Sequence, residues 1–63
     1  MKSGHLVLTR KPGQRVRLRV AHPEGGHTDV WVMLIELDRN RVRLGFRAPQ
    51  SVVVVREELI RDT

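Results

Sequence analysis

Arginine is the residue with the most chemical reach in this chain. The 63 residues hold 12 Lys and Arg against 7 Asp and Glu, a formal charge of +5. Arg15, Arg17 and Arg19 recur at every second position, and so do Arg41 and Arg43 with Arg47 beyond them; Arg10 and Lys11 come earlier and Arg56 near the end. A guanidinium is a planar fork that pairs bidentately with phosphate or a guanine edge and stacks on a base. Because Lys2, Arg10, Lys11, Arg15, Arg17 and Arg19 all precede the first acid, Glu24, polyanions are the natural partner class. Catalysis has little to work with. His22, Glu24 and His27 sit in a Pro/Gly turn without any Cys, too scattered for a metal site. Glu57 and Glu58 are adjacent where acids open a helix, and neither a Ser/His/Asp set nor a Gly-rich phosphate loop is present. The sequence therefore reads as a non-enzyme needing no cofactor and no metal.

The elements that must position these arginines are strands. In Arg15 to Val20 every second residue is apolar and the rest are Arg, the pattern of a strand with one wet face. His22, Pro23, Glu24, Gly25, Gly26 and His27 break it and imply a hairpin turn. Asp29 to Leu37 is nearly continuous apolar and reads as the next strand. Asp38, Arg39 and Asn40 turn the chain into Arg41–Arg47, where Val42, Leu44 and Phe46 alternate with a face carrying Arg41, Arg43 and Arg47. Ala48, Pro49 and Gln50 separate this from a strand over Ser51–Val55, and His5–Lys11 forms one ahead of the Pro12-Gly13 turn. Only Arg56–Thr63 looks helical, and eight residues need a docking surface to persist. The expected class is mainly β: five short strands and a short C-terminal helix.

Val52, Val53, Val54 and Val55, like Val30 to Ile35, point to both faces of any sheet that contains them. One short chain has little with which to cover both sides, and an open valine edge invites uncontrolled pairing. An interlaced, strand-swapped homodimer resolves both problems, with a tight monomeric barrel as the alternative. Trp31 and Phe46 are the only aromatics; each lies in an apolar run and reads as core, which argues against base stacking on exposed aromatics. No apolar run approaches the roughly 20 residues of a membrane span, the N-terminus lacks a secretory pattern, and the absence of Cys fits a reducing cytoplasm.

Specific residues then resemble one family. Leu6, Val7, Leu8, Thr9, Arg10 and Lys11, followed by Gly13, resemble the opening strand and turn of the carbon storage regulator family (CsrA/RsmA) of bacterial RNA-binding translational regulators. Asn40 to Gly45 with Ala48 and Pro49 resemble its fourth strand and Ala-Pro turn, and Val52, Val54, Arg56, Glu57 and Glu58 its fifth strand and helix start. Any one motif is weak; the ordered set covers about three-quarters of the chain. On this resemblance residues 1–5 are an N-terminal extension, native or introduced, and residues 6–63 the RNA-binding domain. The chain departs from the family pattern in the segment from Gln14 to Thr28, about eight residues longer than usual, in Val55 where a His is usual, and in a short tail.

The resemblance implies a homodimer that binds GGA-containing hairpin loops in messenger leaders and blocks ribosome access. It places RNA contacts at Leu8, Thr9, Arg10 and Lys11 of the first strand, at Arg43, Arg47, Ala48 and Pro49, and at Val54 and Arg56 of the other protomer. Arg41 could extend a phosphate track, while Arg15, Arg17 and Arg19 lie in the lengthened segment, where the resemblance assigns them nothing. The implied partners are hairpin-loop RNA, regulatory small RNA among it, and a second copy of the chain, with no membrane and no protein antagonist that the sequence supports. Two alternatives stand: a protein-interaction module docking through the long hairpin, and a basic DNA-binding β dimer.

Overall fold

The computed structural model describes residues 4–60. Three antiparallel strands form one sheet in the order β1 (Arg15–Ala21), β2 (His27–Asp38), β3 (Arg41–Arg47). Two turns set it up. Gly25 and Gly26 both take positive φ, 106° and 80°, which a side chain resists, and His22 N–H donates to Gly26 O at 3.0 Å. The β2–β3 turn puts Arg39 at φ 54°, a conformation rare for a long side chain.

The β1–β2 ladder aligns Arg15 with Met33, Arg17 with Trp31, Arg19 with Asp29 and Ala21 with His27. The β2–β3 ladder aligns Trp31 with Arg47, Met33 with Gly45, Leu34 with Leu44 and Glu36 with Arg43; Ile35 is the extra residue of a bulge between Leu34 and Glu36. Directly opposed residues share a face, so the sheet is divided by chemistry. One face carries Val16, Leu18 and Val20 of β1, Val30, Val32 and Leu34 of β2, and Val42, Leu44 and Phe46 of β3. The other carries all six strand arginines with Asp29, Trp31, Met33, Glu36 and Gly45.

The apolar face is largely uncovered. Only Val30 (7%) and Leu34 (8%) are buried, while Leu44 and Phe46 remain about half exposed, at 52% and 49%. A buried Leu or Phe contributes about 1.5–3 kcal/mol, so most of the stabilisation this face can supply is unrealised in one chain. The whole chain exposes 6571 Å², whereas a monomer of its mass is expected to show about 4200 Å². Its radius of gyration is 14.2 Å against about 11 Å for a compact domain of this length.

Two expected strands and the helix do not form as expected. Residues 5–11 and 51–55 belong to no strand, because a strand exists only against a partner and these segments carry none of the ladder pairs. Both outer edges, of β1 and of β3, have no neighbouring strand among the described residues. The anticipated helix over Arg56–Thr63 is a single 3-10 turn, Glu57–Leu59, with Ile60 already extended; one turn cannot meet the cost of helix nucleation, and residues 61–63 lie outside the described residues. The Pro12-Gly13 turn does form, with Gln14 N–H donating to Lys11 O at 2.9 Å and Gly13 at φ 87°. It is moored to β2 by Gly13 N–H to Leu34 O (2.7 Å) and Leu34 N–H to Gln14 O (3.1 Å).

Candidate nucleic-acid interface

The residues singled out for RNA contact fall on three structures. Leu8, Thr9, Arg10 and Lys11 lie on the arm before the Pro12-Gly13 turn, exposed throughout. Arg10 Nε donates to Thr9 O at 2.7 Å, and its Nη1 lies 3.5 Å from Arg15 O, which holds the guanidinium beside the start of β1. Lys11 N–H donates to Gln14 Oε1 at 2.9 Å, so the turn closes on itself and leaves the ammonium free of that network.

Arg43 and Arg47 stand on the polar face of β3. Arg43 Nη1 donates to Glu36 Oε2 at 3.4 Å, a cross-strand ion pair of the exposed kind that contributes about 0–1 kcal/mol and gives way readily to a phosphate. Arg47 has no carboxylate partner among the described residues and is paired in register with Trp31. Ala48 and Pro49 follow β3 directly, and Pro49 opens a turn closed by Val52 N–H to Pro49 O at 3.0 Å. Val54 lies on the exposed C-terminal arm. Arg56 occupies the N-cap of the 3-10 turn in extended conformation and makes an exposed ion pair with Glu58, Nε to Oε1 3.0 Å. The first and third groups sit at opposite ends of the chain, and no hydrogen bond or ion pair joins them.

Arg15, Arg17 and Arg19 share the polar face with Arg41, Arg43 and Arg47 by register. Arg19 is committed to Asp29, Nε to Oδ1 3.1 Å and Nη2 to Oδ2 3.5 Å. That hydrogen bond, with the charges of Arg19, His27 and Arg17, holds the Asp29 carboxyl below its ordinary 3.8 against a smaller opposing desolvation. Trp31 corrects the expectation of a core tryptophan. It is half-buried on the arginine face, with the Arg15 guanidinium carbon 4.6 Å and that of Arg17 5.4 Å from its ring centroid, a cation–π arrangement. Its apolar run hides its side, because a continuous run has no period; counting back from the Gly-Gly turn places Trp31 opposite Arg17.

At the hairpin tip His22 Nε2 meets Thr28 Oγ1 at 2.6 Å, while Glu24 lies 3.8 Å from His22 Nδ1 and Asp29 3.7 Å from His27 Nε2. The two histidines are thus engaged separately, and no group of three or more His, Cys, Asp or Glu among the described residues is placed to hold a metal ion. No helix of the described residues is long and apolar enough to cross a membrane.

Residues 6–63 match the CsrA global regulator protein family. The chain is 37% identical over 57 residues to the translational regulator CsrA of Desulforapulum autotrophicum, covering 90% of this chain and 60% of that protein. It is 39% identical over 54 residues to that of Geotalea uraniireducens, covering 86% and 58%, and 33% identical over 54 residues to that of Helicobacter pylori strain Shi470, covering 86% and 60%. The chain thus spans about three-fifths of the length of these curated relatives. No solved structure matches it.

Proposed function

The chain belongs to the CsrA family of global regulators, and from that premise we propose that it is a homodimeric RNA-binding translational regulator. It binds GGA-containing hairpin loops in messenger leaders and blocks ribosome access, without chemistry of its own. One observation carries the reading: the segments that resemble the family's first and fifth strands, residues 6–13 and 52–58, are arms without ladder partners, flanking a sheet whose two edges are open among the described residues and whose apolar face is uncovered. A second copy answers all three needs. Its arms add the first and fifth strands to these edges, and its apolar face covers this one. The surface in excess of a compact monomer, about 2400 Å² per chain and so about 4800 Å² for two chains, falls in the range of obligate homodimer interfaces, about 2000–5000 Å² in total.

In such a dimer the N-terminal arm of one protomer and the C-terminal arm of the other meet at a sheet edge, bringing Leu8, Thr9, Arg10 and Lys11 together with Val54 and Arg56 of the second chain. Arg43, Arg47, Ala48 and Pro49 border that edge. The backbone of the edge strand and the guanidinium forks read the loop; Arg suits both phosphate and guanine. Titration of a labelled GGA hairpin against a CCA hairpin of the same stem tests the reading. The expected outcome is a preference for GGA and a steep loss of affinity with salt. Equal binding of both hairpins would sink it, and tighter binding of duplex DNA would favour the basic DNA-binding alternative.

A further inference from the structure

We propose that the polar face of the sheet is a second RNA surface, which takes the single-stranded segment flanking the bound hairpin and stacks one of its bases beside Trp31. The inference rests on the RNA-binding reading above and adds a surface centred on Arg15, Arg17 and Trp31, none of them among the RNA contacts that the resemblance implies; it meets those contacts at Arg47. Its centre is a shallow depression of about 190 Å³ whose lining includes Arg15, Trp31, Met33, Ile35, Gly45 and Arg47. The bulge makes the floor: Ile35 lies across Gly45, so close that a Cβ there would stand 3.0 Å from Ile35 Cδ1. An apolar floor with an aromatic wall is thus ringed by cations.

Those cations are not neutralised. Arg15, Arg17 and Arg47 have no carboxylate partner among the described residues, and Asp29, the nearest acid on this face by register, is already held by Arg19 and His27. Arg15 and Arg17 instead lie over the Trp31 ring. Charge complementarity selects a polyanion, and the apolar floor with its aromatic wall selects one with unpaired bases; single-stranded RNA supplies both. The surface is also continuous with the proposed loop site. Arg10 Nη1 reaches Arg15 O on one side, and Arg47 is the register partner of Trp31 on the other.

Trp31 is the only tryptophan of the chain, so its emission reports on this face alone. The test compares a blunt GGA hairpin with the same hairpin carrying a short single-stranded adenosine tail. The tailed RNA is expected to bind on the order of tenfold more tightly, the gain of about one stacked base, and to quench Trp31 where the blunt RNA does not. In the Arg15→Gln/Arg17→Gln double variant, with its fold checked by circular dichroism, that gain should vanish and the salt slope for tailed RNA fall by about 0.7 per lost contact. Blunt-hairpin affinity and GGA preference should stay as they were. Equal affinity for tailed and blunt RNA with unchanged Trp31 emission overturns the proposal while the GGA reading stands; a tail gain without GGA preference sinks the loop reading and supports this surface. Equal quenching by blunt duplex DNA overturns the assignment to a single strand.

Discussion

In the proposed function, Arg56 is the residue on which loop recognition turns most sharply. It caps only a three-residue 3-10 turn and its ion pair with Glu58 is exposed, so its charge contributes little to folding. Arg56→Ala should therefore leave the unfolding midpoint nearly unchanged and weaken GGA-hairpin binding by about 1–3 kcal/mol; unchanged affinity by anisotropy would remove Arg56 from the site. Asp29 makes a different demand. Its lowered folded-state pKa, caused first by the Arg19 hydrogen bond, means that its stabilisation is complete above 3.8 and is lost as pH falls through the lower folded value. A side-chain NMR titration should show Asp29 titrating below 3.8 and moving back up in Arg19→Gln; an unmoved value would show that Arg19 is not the cause. Arg39, at φ 54°, holds a conformation that glycine adopts without strain, so Arg39→Gly should raise stability by about 0.5–1 kcal/mol, read from thermal unfolding.

At the scale of elements, the long hairpin is a matter of register. Ala21 pairs with His27, so replacing His22–Gly26 by Asn-Gly keeps every cross-strand pair and supplies a favoured two-residue turn. That variant should fold and keep its GGA preference. Cutting from Ala21 through Thr28 instead places Val20 against Asp29, one residue out of register, and turns one strand's arginines to the apolar face; it should lose the fold by circular dichroism. β1, β2 and β3 were legible in the sequence because their turns are marked by Pro, Gly and Asn and because Arg15–Val20 and Arg41–Arg47 alternate. Residues 5–11 and 51–55 have strand composition as well, but composition does not supply a pairing edge. The side on which Trp31 lies is hidden for a related reason: within Val30 to Ile35 only the pairing with β1 decides which side chain faces where. The arginine face of β3 was readable, while the depression beside Trp31 depends on the Ile35 bulge, which leaves no periodic mark.

For the whole molecule, an uncovered apolar face and two unladdered arms predict that folding and association are one event. Sedimentation should find a dimer of about 15 kDa, twice the 7.3 kDa chain, and a folded monomer at micromolar concentration would contradict it. The central claim is that each RNA site is shared, Arg10 from one protomer and Arg56 from its partner. A mixed dimer, co-refolded from an Arg10→Ala chain and an Arg56→Ala chain carrying different tags, tests it most directly by titration with a GGA hairpin. Shared sites put both lesions into one site, so the mixed dimer should bind one hairpin with the affinity of the unsubstituted protein; a mixed dimer with two weakened sites and no intact one would contradict the account.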